Sequence, residues 1–363
     1  MTATSLNTAV EDTATPRPGT RAPRGSRHTL IRMIALRIVA LPVLLFIVAT
    51  LTFFLVHALP GDPARDIAGA YATPAVLQQI RQQLGIAAPL GTQYTTFLDQ
   101  LMHGSLGTSY TSHDPVTTDI ATRIMPTVEL AIAAVLFAVV WGLLLGFIGA
   151  WWANRRPDSV VRGVVSIEQA IPDFVAGLVL IFLLTFKTGV LPQPTGQLGL
   201  LDTSPPSVTH AALIDALLAG QWPVAWQAFL HLVLPAISLG FVIAAAFARL
   251  GRSTMKSALE GPQIEFARAC GLRRRQILYY ASTVARTPLI TLLAMVGGAI
   301  LGGTAIVENV FSWGGLASWG VDSITHKDVP AVLGFVLVTG AITIVAFLIL
   351  DIVVLLLDPR VRR

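Results

Sequence analysis

The chain has 363 residues, of which 54% are hydrophobic and only 12% charged, and it carries a net charge of +5. Its mean hydropathy is +0.69, whereas a soluble domain carries roughly 25% charged residues. A water-soluble globular fold of this composition would expose apolar patches large enough to aggregate, so the positive balance is read as membrane topology and not as a nucleic-acid footprint.

Residues 1–33 are rich in Thr, Ala, Pro and Arg, lack an apolar face and read as a disordered cytoplasmic tail. A span needs about 20 mostly apolar residues. The first such run, at 34–59, contains Pro42 and is too long for the core of a cleaved signal, so it is expected to remain as span one. Residues 60–127 form a long connection that begins with the rigid turn Pro60-Gly61-Asp62-Pro63. It includes a predicted helix from Pro74 to Leu84, opened by Thr73 as N-cap, and is expected to fold as a small external subdomain. Span two is placed at 128–152, and span three at 164–186 with Glu168 and Asp173 inside it. A second long external segment follows, and span four is placed at 229–250. A basic loop at 251–287 precedes span five at 288–310 and span six at 332–357, and 358–363 form a short tail.

The fold class predicted is therefore an all-α membrane protein of six transmembrane helices, because in lipid only helices satisfy their own backbone groups and no ten-residue alternation suggests a barrel. With both termini in the cytoplasm, all of the 25 Lys and Arg fall inside except Arg65, Arg81, Arg123, Lys187 and Lys327. This bias fixes the orientation of a multi-pass cell-membrane protein.

The most informative segment is the loop between spans four and five, Gly261-Pro262-Gln263-Ile264-Glu265-Phe266-Ala267-Arg268-Ala269-Cys270-Gly271-Leu272, followed by Arg273, Arg274 and Arg275. Proline suits a first helical turn, Glu265 suits the positive helix N-terminus, and Gly271 suits a left-handed C-terminal position. A short cytoplasmic helix follows, with Ala267, Ala269 and Gly271 small enough for another surface to approach. The three arginines read first as topology determinants and second as contacts to anionic lipid or a partner protein. Cys270, the one cysteine, can form neither an internal disulfide nor a metal cluster.

This loop resembles the Glu-Ala-Ala-x3-Gly segment of permease subunits of binding-protein-dependent ABC importers, with Phe266 in place of the middle alanine and Cys270 where lysine is usual. His57-Ala58-Leu59-Pro60-Gly61-Asp62-Pro63, Gly104-Ser105-Leu106-Gly107-Thr108-Ser109 and Pro126-Thr127-Val128-Glu129-Leu130 are similar to the dipeptide and oligopeptide branch. So are Glu308-Asn309-Val310-Phe311-Ser312-Trp313-Gly314-Gly315-Leu316, with Gly314 where the branch carries proline, and the ending Leu357-Asp358-Pro359-Arg360. The resemblance covers about residues 37–362. It implies half of a translocation pathway for di- or oligopeptides, formed with a second, homologous permease. It implies two ATPase subunits that hold ATP and Mg, and an extracytoplasmic substrate-binding protein. It also implies that Glu265, Phe266, Ala267, Arg268, Ala269, Gly271 and Leu272 dock the ATPase subunit. Nickel complexes and glutathione are alternative substrates in the same family.

Ionisable residues inside spans are functional candidates because burying charge in lipid is costly. Glu168, Asp173, Glu308 and Asp351 are thus weighed between structural pairing and lining of the pathway, and Glu308 is expected near water at the outer end of span five. His57 and His231 read as packing residues, and Gly298-x-x-x-Gly302 as a close helix contact. The chain contains no phosphate-binding loop, zinc-protease motif or nucleophile elbow, so catalysis and a cofactor within this polypeptide are not expected. Two rivals remain. An ion-coupled secondary transporter would use Asp173 and Asp351 but would need inverted repeats that the halves do not show, and a membrane-embedded enzyme would need paired catalytic residues.

Overall fold

The computed structural model describes residues 26–58, 61–69 and 71–357. Residues 1–25 and 358–363, in the two predicted tails, lie outside them, as do the side chains of Gly298, Gly302 and Asp351. Among the described residues the chain is helical, and the single β-bridge joins Thr108 to Pro115.

Helix α1 (Ser26–Ala58) carries Pro42 inside it and is followed by three short helices, α2 (Pro63–Ala68), α3 (Pro74–Gln83) and α4 (Leu90–Met102). Each of the first two short helices has a side-chain cap: Ala64 N donates to Asp62 Oδ1 at 3.2 Å and Val76 N to Thr73 Oγ1 at 3.4 Å. Arg81 on α3 donates to Asp62, tying the two together. That guanidinium holds the Asp62 carboxyl below the usual carboxylate range, against the opposing push of partial burial. Helix α4 lies against α1, where Phe53 stacks on Phe97 at 5.5 Å and Thr50 bonds Tyr94 at 2.8 Å.

Helix α5 (Val116–Trp151) runs straight through the predicted boundary of the second span, because Pro126 does not interrupt it. After α6 (Arg156–Ala170) come α7 (Asp173–Leu180) and a π-helical turn at Ile181–Lys187. Predicted span three is thus not one straight helix but two, bent by 105°. The reason is local: Ile171 precedes Pro172, which disfavours the α conformation there, and Ile171 is extended at φ −101°, ψ 123°.

Helix α8 (Ala212–Leu218) leads into α9 (Trp222–Leu259), the most buried helix, which touches α5, α6, α7, α8 and a later helix, α11. Between them lies α10 (Pro262–Ala269), and α11 itself spans Arg274–Gly303. Residues 274–287, assigned to a loop by their charge, are helical because nothing breaks the helix before Pro288, which α11 also absorbs. The predicted fifth span then ends in a break at Thr304, after which α12 (Ala305–Val310) is a separate short helix. Helices α13 (Leu316–Thr325) and α14 (Val329–Leu357) complete the order. Among the described residues five helices are long and apolar enough to cross a membrane, or six if the bent pair counts as one crossing.

The centre is the α5–α9 pair, whose backbones approach closely at three glycines. A Cβ on Gly142 would sit 2.5 Å from Ala244 O, one on Gly146 2.9 Å from Ala248 O, and one on Gly240 2.6 Å from Ala134 O. The spacing Gly142-x-x-x-Gly146 is a close-packing signal of the same kind as Gly298-x-x-x-Gly302.

Candidate functional site

The site is built around α10. Gly261 caps it in an extended conformation, Pro262 opens its first turn, and Glu265 lies exposed in that turn at the positive end of the helix. Its end is a two-bond stop: Gly271 N donates to Arg268 O at 2.9 Å and Leu272 N to Ala267 O at 3.1 Å. This Schellman geometry requires a left-handed residue, and Gly271 supplies it at φ +72°. Helix α11 starts two residues later, where Arg273 N donates to Gln276 Oε1 at 2.9 Å.

Helix α10 has two faces. Ile264 is buried with Met255 and Ala258 of α9, Ala281 and Ala285 of α11, and Ala150 of α5, and Ala267, one turn on, is buried on the same face. Glu265, Phe266, Arg268, Ala269 and Gly271 face outward, and Phe266 is 72% exposed. Of the residues expected to dock a partner, Ala267 is therefore turned into the chain's own core and Leu272 is half-buried, while the other five are accessible. The alanines let α10 sit close to both α9 and α11. A cavity of about 820 Å³ opens beside it, between Thr254 and Ser257 of α9 and Tyr280 and Val284 of α11.

A buried ion pair braces the same end of the bundle. Asp158, fully buried at the start of α6, accepts from Arg252 Nε at 2.6 Å and Nη2 at 2.8 Å, and from Asn154 N at 3.0 Å. Neither partner stood out in the sequence, because the two are 94 positions apart and each reads as an ordinary loop or helix-end charge.

The acidic candidates do not form one cluster. Glu168 on α6 is fully buried, where Trp141 Nε1 donates to Oε1 at 2.8 Å and Oε2 has no hydrogen-bond partner. Asp173 stands at the bend, partly exposed, with its side chain capping Phe174 N at 2.7 Å and its carbonyl accepting from Ser238 at 2.7 Å. Glu308 does not reach water: it is fully buried, Thr127 Oγ1 donates to Oε1 at 2.6 Å and Ser318 N to Oε2 at 2.7 Å. Thr127 in turn accepts from Leu316 N at 2.7 Å, so this carboxylate joins α5, α12 and α13. The turn between α12 and α13 contains Gly314 at φ +71°, which a proline, fixed near −65°, could not adopt.

The unpaired Glu168 oxygen gives a direct expectation. Glu168→Gln keeps the acceptor for Trp141 and removes a buried acid, so thermal stability in detergent should be unchanged or raised. Glu168→Ala should cost about 1–3 kcal/mol, because the Trp141 N–H is then left without an acceptor. A glutamine variant as unstable as the alanine one would show that the charge itself is needed.

Residues 138–363 match the family described as binding-protein-dependent transport system inner membrane component, and residues 30–131 match the N-terminal region of such membrane components. The chain is 39% identical over 317 residues to the "Probable D,D-dipeptide transport system permease protein DdpB" of Escherichia coli (strain K12), covering 87% of this chain and 93% of that one. It is 33% identical over 327 residues to the glutathione transport system permease protein GsiC of Pectobacterium atrosepticum, covering 90% and 97% of the two chains. The corresponding GsiC of Escherichia coli O6:H1 is 32% identical over 334 residues, covering 92% and 99%. Two adjoining matches that leave only the N-terminal tail and residues 132–137 uncovered, together with near full-length relatives that are all permeases, establish that the chain belongs to the binding-protein-dependent transport system inner membrane component family.

Proposed function

We propose that this chain is one permease subunit of an ATP-driven importer for short peptides, both termini in the cytoplasm, paired with a second, homologous permease. Two ATPase subunits holding ATP and Mg drive it, and an extracytoplasmic binding protein delivers the substrate. The observation that carries the reading is α10: a rigidly stopped helix with an accessible outer face of Glu265, Phe266, Arg268 and Ala269, held by Ile264 against α9 and α11. A push on that outer face is passed to both long helices through these buried contacts. Closure of the ATPase pair thus tilts both helices and switches the cavity between its inward and outward openings. Peptides are favoured as substrate by the 39% identity to a D,D-dipeptide permease. Glutathione, itself a peptide, is the second reading, favoured by relatives matched over 97–99% of their length. Asp173, the partly exposed acid at the bend, is the pathway candidate, whereas Glu168 and Glu308 hold helices together.

Gly271→Arg tests the lever. A Cβ at Gly271 meets nothing within 4 Å, so the substitution costs about 1 kcal/mol of backbone strain, small against a total stability of about 5–15 kcal/mol. Membrane insertion and assembly should survive, while peptide uptake falls to background and ATP hydrolysis no longer responds to the loaded binding protein. Uptake at the unsubstituted rate would remove α10 from the coupling path. Ligand released from the co-purified binding protein, identified by mass spectrometry, decides between dipeptide and glutathione.

A further inference from the structure

The end of α5, the connection to α6, the last turn of α10 and the first turn of α11 surround an open cavity of about 420 Å³, whose lining includes Trp151, Trp152, Arg155, Arg268, Arg274 and Ile277. No carboxylate lines it. The three arginines are exposed, and none is ion-paired with an acid among the described residues. Of the acids near these arginines in sequence, Asp158 pairs with Arg252 and Glu260 with Lys256 at 3.9 Å, while Glu265, one turn from Arg268, lies on the exposed face of α10. The Arg274 guanidinium lies 3.9 Å over the Trp151 ring. The stacking orients it and leaves its in-plane N–H groups to donate. Three like charges around one cavity repel one another unless an anion sits among them.

We propose that this cavity holds the phosphate of an anionic phospholipid of the cytoplasmic leaflet, bound by Arg155 and Arg274, with Arg268 left to the outer face of α10. Three features select a lipid over a soluble anion or an acidic protein segment. Two tryptophans close a 36-residue apolar helix at this point, which is where a membrane–water interface falls. The lining also includes the apolar Leu259 and Ile277, suited to the glycerol and upper acyl region and of no use to a free phosphate. Basic pockets between transmembrane helices at the cytoplasmic side suit such headgroups. The bound lipid joins the end of α5 to the start of α11, beside the last turn of α10. The proposal rests on the cytoplasmic placement of α10 given above.

The test uses the purified, delipidated importer complex titrated with phosphatidylglycerol or phosphatidylcholine and read by native mass spectrometry. The expected result is retention of phosphatidylglycerol over phosphatidylcholine, weakened about thirtyfold by R155Q/R274Q and largely kept by R155K/R274K. Equal retention of the two lipids, or equal binding by the glutamine variant, overturns the proposal. So does displacement of the lipid by millimolar inorganic phosphate, which would mark a soluble-anion site. So, too, does cross-linking of position 155 to an ATPase subunit with no lipid retained, which would mark a protein contact. If the glutamine variant does not assemble, the comparison of the two lipids on the unsubstituted complex decides alone. Uptake is not the readout, so failure here leaves the importer reading standing.

Discussion

Replacing Asp158 with alanine should cost about 3 kcal/mol of stability, the low end of the range for breaking a buried ion pair. The carboxylate is fully buried and takes both guanidinium bonds of Arg252, so its loss strands a cation between α5, α6 and α9. The estimate sits at the low end because the Arg252 side chain is 23% exposed and recovers part of its hydration. Arg252 also lies against Gly149, where a Cβ would come 3.0 Å from its Cδ, so it cannot easily swing to water. The double variant Asp158→Leu with Arg252→Met should regain much of the loss, because an apolar pair of similar volume replaces the ions without leaving either alone. Unfolding temperature of the purified complex, followed by fluorescence-detected size exclusion, measures both. An alanine variant as stable as the parent would show that the pair contributes nothing.

Gly142→Leu should prevent the α5–α9 pair from forming, with no folded complex recovered from the membrane. Even Gly142→Ala places a methyl carbon 2.5 Å from Ala244 O and 2.6 Å from Phe247 Cβ, and the first of these is backbone that cannot rotate away. The alanine variant is therefore expected to lose about 1–3 kcal/mol. Gly163→Ala on α6 is the control: its Cβ meets nothing within 4 Å, and the helix gains up to about 1 kcal/mol from the better helix former. If the alanine variants at 142 and 163 behaved alike, the backbone approach would be looser than described.

The apolar runs were read from the sequence because period and length are local properties, and so was α10, whose Gly-Pro opening and glycine stop are chemical signals within 11 residues. The bend at Ile171 was also legible, since Pro172 lies between Glu168 and Asp173; the acids drew attention and the proline did not. The helical start of α11 was masked by arginines that look like loop and are compatible with helix. Asp158 with Arg252 and Glu308 with Thr127 were not legible, because separations of 94 and 181 residues are closed only by packing. That is also why Glu308 was placed near water. The face of α10 that Ala267 occupies depends in the same way on α9 and α11, which no composition signal specifies.

The bent third segment has a consequence for the surrounding bilayer. Helix α7 has eight residues and its π-helical continuation seven, which reach about 22 Å at 1.5 Å per residue. A hydrocarbon core is about 30 Å thick, so even standing upright this segment falls short by about a quarter of the thickness. Lipids beside it must thin locally or tilt to avoid exposing acyl chains to water, at a fraction of a kcal/mol per ångström. Where this segment serves as the third crossing, the protein carries a built-in sensitivity to acyl-chain length on that one side, and shorter-chain lipids should collect there.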